Sequence, residues 1–326
     1  MDEKSLGDRL WYKHWPPQVP KCLDYPDCTL AEFLRDAASK HAAKPAIFFL
    51  DAEISYHQLW DMVQRLATAF SDFGYKKGDT IALMLPNSIQ FVVAYYACQL
   101  LGITVTSINP TYKAFEVQHQ LKDSEARALV ILDALFEEVR QGIEGTGVEK
   151  IIGTNIVDLC GFSGIKIFIG KLLKKIPTGP MPADALKFSD LLKVDPNPRD
   201  VAVVAGVVAV LLYTGGTSGL PIGAMLSHRI VVSNEVMCSA WLWKKKEDMG
   251  LVGVLPLFHA FAMTTVMNTA IHSGGFQLLF PRPPEDMTDL FAAIEKYAAR
   301  GDLIMPGVAV LFNKINNHPK VGEFDL

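Results

Sequence analysis

Along the first 130 residues the hydrophobic pattern switches repeatedly between a helical and an extended period. Thr29-x-x-Glu32 is a capping-box pattern, and Leu30, Phe33, Leu34, Ala37 and Ala38 then recur at helical spacing until Lys44-Pro45. The pattern predicts a helix from Leu30 to about Ala43. Ala46 to Leu50 and Ile54 to Tyr56 flank a short turn, as in a hairpin. Ser55-x-x-Gln58 caps a second helix with Leu59, Met62, Val63, Leu66, Ala67 and Phe70 on one face, ended by Gly74. After a turn at Lys77-Gly78-Asp79, Thr80 to Leu85 reads as a buried strand. Asn87-Ser88 caps a helix to Leu101 that is apolar nearly all round, so it must be internal, and Gly102 closes it. A strand (Ile103 to Ile108), a helix (Phe115 to Lys122) and a strand (Ala128 to Leu132) follow. The order βαβαβ implies parallel pairing through right-handed crossovers, and the class is α/β.

Two long stretches, Val201 to Ser227 and Met249 to Pro281, carry no Asp, Glu, Lys or Arg. Each must be weighed as a membrane span, which needs about 20 apolar residues, and both fail on content. The first is apolar only over Val201 to Leu212 and then turns to Thr, Ser and Gly. The second is broken by Pro256, His259, Asn268, His272 and Gly274-Gly275. Strands covered on both faces also read as continuous apolar runs, so both stretches are expected in the core.

From Gly161 to Pro177 the helical period returns, with Ile165, Phe168, Ile169, Leu172 and Ile176 on one face and Lys166, Lys171, Lys174 and Lys175 elsewhere. Two readings are open for this basic amphipathic helix: a surface helix packed on its own domain, or a contact with an anionic membrane surface. The proline-rich stretch from Pro177 to Pro198 reads as an irregular connection. It suggests a first α/β subdomain over residues 1–198 and a second α/β portion over 199–326.

Composition narrows the partners. With 31 Lys+Arg against 35 Asp+Glu and a net charge of -4, the chain lacks the basic excess that nucleic-acid binding requires. Half of the residues are apolar, which excludes intrinsic disorder. Five scattered cysteines, with no C-x-x-C pair and no histidine at ligand spacing, argue against a disulfide framework or a zinc site and suit a reduced cytoplasm. The start, MDEKSLGDRLWYKHW, lacks the apolar segment of a secretory signal.

The candidate chemistry lies after the apolar run, in Tyr213-Thr214-Gly215-Gly216-Thr217-Ser218-Gly219-Leu220-Pro221-Ile222-Gly223-Ala224-Met225-Leu226-Ser227-His228. Glycines let consecutive backbone N-H groups converge on phosphate oxygens, and Thr and Ser hydroxyls add donors and can ligate Mg²⁺. The pattern reads strand, phosphate loop, strand, then a helix from about Ser227. It is not the G-x-x-x-x-G-K-[ST] loop, because Gly219 is not followed by Lys. The glycines alone would equally suit a flexible surface turn, and His259 alone would suit a hydrogen-bonded core histidine.

The motif Y-T-G-G-T-S-G-x-P-x-G-A-M-L-S-H resembles the signature loop of the adenylate-forming (AMP-binding) acyl-CoA synthetase superfamily. Ile54-Ser55-Tyr56-x-x-Leu59, the stretch from Leu100 to Tyr112, Leu255-Pro256-Leu257-Phe258-His259 and the region Pro306 to Asn313 resemble further blocks of it. Through N-P-T-Y, E-V-Q-H-Q-L-K-D-S, the basic helix and N-N-H-P the likeness is greatest to bacterial long-chain fatty acid-CoA ligases. The resemblance implies the N-terminal domain of that fold, in stacked αβαβα subdomains, ending before the distal β-barrel region and the C-terminal domain. It implies a carboxylate attacking the α-phosphorus of ATP, then CoA displacing AMP from the acyl-adenylate. Tyr213 to Ala224 would hold the ATP phosphates, with Thr214 and Thr217 near Mg²⁺. His259 would lie near the carboxylate and α-phosphate, as the catalytic residue, with Phe258 beside the acyl entrance.

Three departures from the family pattern bear on this. Ile222 stands where the family loop carries Lys. Val201-Ala202-Val203 is echoed by Val208-Ala209-Val210, so 204–208 looks inserted. The family also continues past the point matched by Leu326, with a Y-G-x-T-E block, a ribose-binding Asp and a catalytic Lys, so this chain alone is expected to be inactive. Medium-chain or aryl acid ligation, a non-catalytic nucleotide- or membrane-binding remnant, peripheral attachment on the inner face of the membrane and a homodimer are the competing or additional expectations.

Overall fold

The computed structural model describes residues 9–214, 220–242 and 249–326. The first half follows its local signals closely. Helix α1 (Leu30–Lys40) carries a complete capping box between Thr29 and Glu32. It ends short of Ala43, because the chain turns at His41 to Lys44 and strand β1 (Pro45–Phe49) begins at once. Strand β2 (Ala52–Ser55) pairs with β1 antiparallel across a turn in which Leu50 and Asp51 both adopt positive φ. Helix α2 (Tyr56–Asp72) has the second capping box, Ser55 with Gln58. After β3 (Thr80–Met84), Ser88 accepts the Phe91 N-H and starts α3 (Ile89–Leu101), which is buried on every side over all but Leu100. Gly102 ends it at φ 66, a left-handed conformation that favours glycine.

The chain continues through β4 (Thr104–Ser107), α4 (Ala114–Asp123), β5 (Ala126–Leu132), α5 (Asp133–Ile143), β6 (Lys150–Thr154), α6 (Gly164–Leu172), β7 (Leu186–Lys187) and α7 (Phe188–Leu191). Then come β8 (Val208–Thr214), β9 (Ile222–Ser227) and α8 (His228–Trp241), the last capped by Ser227. Of the repeated apolar triplets, only the second lies in a strand. Val201 to Val203 are irregular, and a turn from Val204 to Val207 feeds β8. The remainder is β10 (Met249–Gly253), α9 (Ala260–Ala262), a π-helical turn (Met263–Asn268), α10 (Thr269–Ser273), β11 (Phe276–Leu279), α11 (Met287–Ala298), β12 (Asp302–Ile304) and α12 (Ala309–Asn316).

Two sheets result, in the orders β7-β6-β5-β3-β4-β8-β9 and β12-β10-β11-β1-β2. Pairing is parallel except for the edge hairpins β8-β9 and β1-β2. Each sheet therefore takes strands from both sides of residue 198, so a linear division there does not coincide with the division between sheets. The period of two assigns the faces. In β3, Ile81 and Leu83 point into the central core while Ala82 and Met84 join the cluster made with Val117, Leu121, Phe136 and Val139 of α4 and α5. In β1, Ile47 and Phe49 face the centre, and Phe48 faces Leu290 and Phe291 of α11. The central core gathers α1, α2, α3, α8 and α10 between the sheets. The layers are αβαβα, as the resemblance implied.

Candidate active site

Parallel strands leave a crevice at their carboxyl ends, and here both sheets contribute to one. A mainly apolar cavity of about 620 Å³ is lined by residues just past β3 (Pro86, Asn87), β4 (Asn109), β5 (Asp133), β10 (Pro256) and β11 (Pro281). Phe258 lines it as well, and the exposed Lys175 and Arg282 bring two cations to its rim.

Asn87 ties this region together. Its Nδ2 donates to the Gly253 and Leu255 carbonyls at 3.0 and 2.9 Å, and its Oδ1 accepts the Leu257 N-H at 2.7 Å. A buried side chain at the end of β3 thus fixes the backbone that leads to Phe258 and His259 in the other sheet. On the opposite wall, Asn155 Nδ2 donates to the Asp133 carboxylate and to the Pro177 carbonyl, joining the ends of β5 and β6 to the segment that follows α6. Burial pushes the Asp133 carboxyl above its ordinary range, with the Asn155 hydrogen bond opposing.

Hairpin β8-β9 belongs to the first sheet. Because β8 runs parallel to β4, the chain leaves β8 at the same edge as it leaves β3, β4 and β5. Tyr213 donates its hydroxyl to Asp123 Oδ2 at 2.6 Å, and His119 Nε2 lies 2.8 Å from the Pro221 carbonyl, so α4 grips the hairpin on both arms. Burial, then Asp123, raises the Tyr213 phenol well above its usual range. Thr214, Leu220, Ile222 and Ala224 are exposed, and Thr214 faces Ile222 across the hairpin. Gly223 leaves room for the Tyr213 ring, which a Cβ there would meet at 2.9 Å. Gly215, Gly216, Thr217, Ser218 and Gly219 lie outside the described residues.

His259 is an exposed residue at the start of α9, its ring 4.5 Å from that of Phe258. Partial burial lowers its pKa, so the imidazole is neutral at pH 7. Among the described residues no group of three or more His, Cys, Asp or Glu side chains could hold a metal ion. Thr214, the described one of the two threonines expected near Mg²⁺, ends β8 with an exposed hydroxyl.

The profile of the AMP-binding enzyme family matches residues 34–325. The chain belongs to the AMP-binding enzyme family. This AMP-binding chain is 33% identical to the long-chain-fatty-acid-CoA ligase of Salmonella typhimurium over 329 residues, 97% of this chain and 57% of that protein. It is 29% identical to the enzyme of the same name from Bacillus subtilis over 333 residues, 98% of this chain and 57% of that protein. The AMP-binding chain thus spans little more than half the length of these relatives. Among solved structures, a long-chain-fatty-acid-CoA ligase from Archaeoglobus fulgidus superposes with a TM-score of 0.71 at 26% identity, covering 91% of this chain and 55% of that one. An anthranilate CoA ligase in complex with anthranoyl-AMP matches in fold, with a TM-score of 0.76 at 18% identity over 93% of this chain and 54% of the other. No described helix of the AMP-binding chain is long and apolar enough to cross a membrane.

The structure also brings in residues that the sequence did not single out: Asn155, Asp133, His119 and Asp123. Asn87 stood out only as half of a helix cap. Their roles depend on partners far along the chain, and E-V-Q-H-Q-L-K-D-S, which contains His119 and Asp123, was the nearest local signal.

Proposed function

We propose that this AMP-binding chain provides the phosphate-holding and carboxylate-activating part of a long-chain fatty acid-CoA ligase. The observation that carries the reading is the Asn87 junction. It holds Leu255 to His259 at the carboxyl ends of the strands, along the edge from which the β8-β9 hairpin also leaves. A carboxylate oxygen attacks the α-phosphorus of ATP and pyrophosphate departs. The CoA sulfur, its proton lost to solvent, then attacks the acyl carbonyl and AMP departs.

Positioning and charge stabilisation are most of what phosphoryl transfer asks of a protein. Residues Tyr213 to Ala224 offer backbone N-H groups and the hydroxyls of Thr214, Thr217 and Ser218 to the phosphates. Thr214 and Thr217 would hold Mg²⁺ through their hydroxyls, and the ion would supply neutralising charge to those oxygens. His259, neutral at pH 7, can donate one N-H to the carboxylate or α-phosphate without adding a full charge. Phe258 borders the acyl group, and Lys175 and Arg282 stand ready for the CoA phosphates beside an apolar cavity suited to the pantetheine arm.

Non-hydrolysable acyl-adenylates test the reading by calorimetry on the chain. Hexadecanoyl-sulfamoyl-adenosine is expected to bind more tightly than the octanoyl and benzoyl forms, and His259→Ala to weaken it about tenfold, the loss of one hydrogen bond of about 1.4 kcal/mol. Preference for the benzoyl form would favour an aryl substrate, and no binding of any of the three would overturn the proposal.

A further inference from the structure

Within the basic amphipathic segment, helix α6 itself plays no part in that chemistry, and its placement is unlike that of other helices here. Helix α6 buries none of its residues, whereas α1, α2, α3, α4, α5, α8, α11 and α12 all do. Ile165, Phe168, Ile169, Leu172 and Leu173 are 75%, 68%, 47%, 70% and 59% exposed. The first four follow the spacing i, i+3, i+4, i+7, so they form one solvent-facing stripe. At 100° per residue Lys166 and Lys171 fall on opposite borders of that stripe, and Lys174 and Lys175 follow at its C-terminal end. No Asp or Glu occurs between Asp158 and Asp184.

The helix is nevertheless firmly attached. At its N-terminal side the Gly161 N-H donates to the Leu50 carbonyl at 3.0 Å, and Lys166 Nζ lies 3.3 Å from Asp51 Oδ2. At its C-terminal side Lys174 takes φ 55 and Ile176 turns back to bond the Gly170 carbonyl, after which Pro177 is held by Asn155. The apolar stripe is therefore presented outward from two fixed ends.

We propose that α6 is a docking surface for an anionic lipid bilayer, lying in the plane of the interface with its stripe among the acyl chains and its lysines at the headgroups. Charge decides the occupant. A second copy related by a two-fold axis would set the same lysines against each other. A bilayer that contains phosphatidylserine or another anionic lipid meets the stripe and the lysines with complementary chemistry at once. The proposal stands apart from the ligase reading, because α6 and Lys174 make none of the contacts which that reading uses. It also sets Lys175 and Pro177, at the rim of the cavity, next to the membrane.

Co-sedimentation of the chain with mixed phosphatidylserine and phosphatidylcholine vesicles, against phosphatidylcholine alone, tests it. Binding is expected only with the anionic lipid and is expected to weaken with added salt. Lys171→Gln with Lys174→Asn should lower the partition coefficient about 25-fold, about fivefold for each lysine, and Phe168→Ser with Leu172→Ser should abolish sedimentation. All four residues are exposed, so the melting temperature should not move. Hydrogen exchange adds a local readout: vesicles should slow exchange across 164–173. Equal binding to both kinds of vesicle, indifference to both variant pairs, or slowing of the same amides by protein concentration without vesicles would each overturn it, the last in favour of a dimer.

Discussion

The Asn87 side chain receives the Leu257 N-H at 2.7 Å while donating to the two carbonyls that flank Val254, across the seam between the sheets. Both donor hydrogens and the acceptor of one buried amide are thereby used. Asn87→Ala would leave the Leu255 carbonyl and the Leu257 N-H without that partner, while the Gly253 carbonyl keeps the Phe280 N-H, and each unpaired buried group costs about 1 to 3 kcal/mol. We expect a loss of about 3 kcal/mol in urea unfolding, together with weaker acyl-adenylate binding. Asn87→Asp keeps the acceptor and loses both donors, so it should rescue neither. A variant with unchanged midpoint would show that Leu255 to His259 hold themselves.

His228 sets an acid limit. Its Nδ1 accepts the Leu30 N-H at 3.2 Å at the start of α1, and burial lowers its pKa from 6.5 to about 4. The folded state holds the neutral ring, so stability is fully present above pH 6.5 and falls as the unfolded chain takes up the proton between pH 6.5 and 4. The full loss is about 3 kcal/mol. Urea midpoints across this range should fall for the parent chain, and the His228→Asn profile should be flatter. Parallel profiles would assign the acid sensitivity elsewhere.

Ile222 is 75% exposed at the first position of β9, so a lysine there meets no packing obstacle. If residues Tyr213 to Ala224 hold phosphate, Ile222→Lys should tighten the binding of Mg-ATP and of pyrophosphate about tenfold, about 1.4 kcal/mol. Titration calorimetry on the two chains decides it. Equal dissociation constants would show that backbone and hydroxyl donors suffice.

A Cβ on Gly161 would lie 2.2 Å from the Asp51 carbonyl oxygen, inside a backbone contact that cannot yield by a rotamer change. Gly161→Ala should therefore cost about 2 kcal/mol, within the usual range for overpacking. It should also release the β1-β2 turn from the segment before α6. A thermal scan reads the first effect, and faster exchange of the residue 161 amide, which bonds the Leu50 carbonyl, reads the second.

Local signals were legible wherever partners are close in sequence. Thr29, Ser55 and Ser88 each cap the helix that their spacing announced, and Gly102 closes α3. Helix α3, apolar nearly all round, is buried as its pattern required. The stripe from Ile165 to Leu172 also reads correctly as one helical face, but the helix is shorter than 161–177, since Lys174 turns left-handed and the chain reverses. Asn87 could not be read in the same way. Its three partners lie 166, 168 and 170 residues away, and nothing local distinguishes it from an ordinary residue before a cap.

By itself the sequence determined the periods, the caps, the α/β class and the kinship with AMP-binding enzymes, because each rests on residues a few positions apart or on a contiguous motif. Tertiary structure alone decided that β8 and β9 extend the sheet begun by β3, and that β1 and β2 join β10, β11 and β12. It also decided that Ile165, Phe168 and Leu172 face solvent rather than a neighbour. The physical reason is that an apolar strand or helix face states only that it must be covered. Which surface covers it is settled by competition among all the apolar faces of the chain, and that competition takes place only in three dimensions.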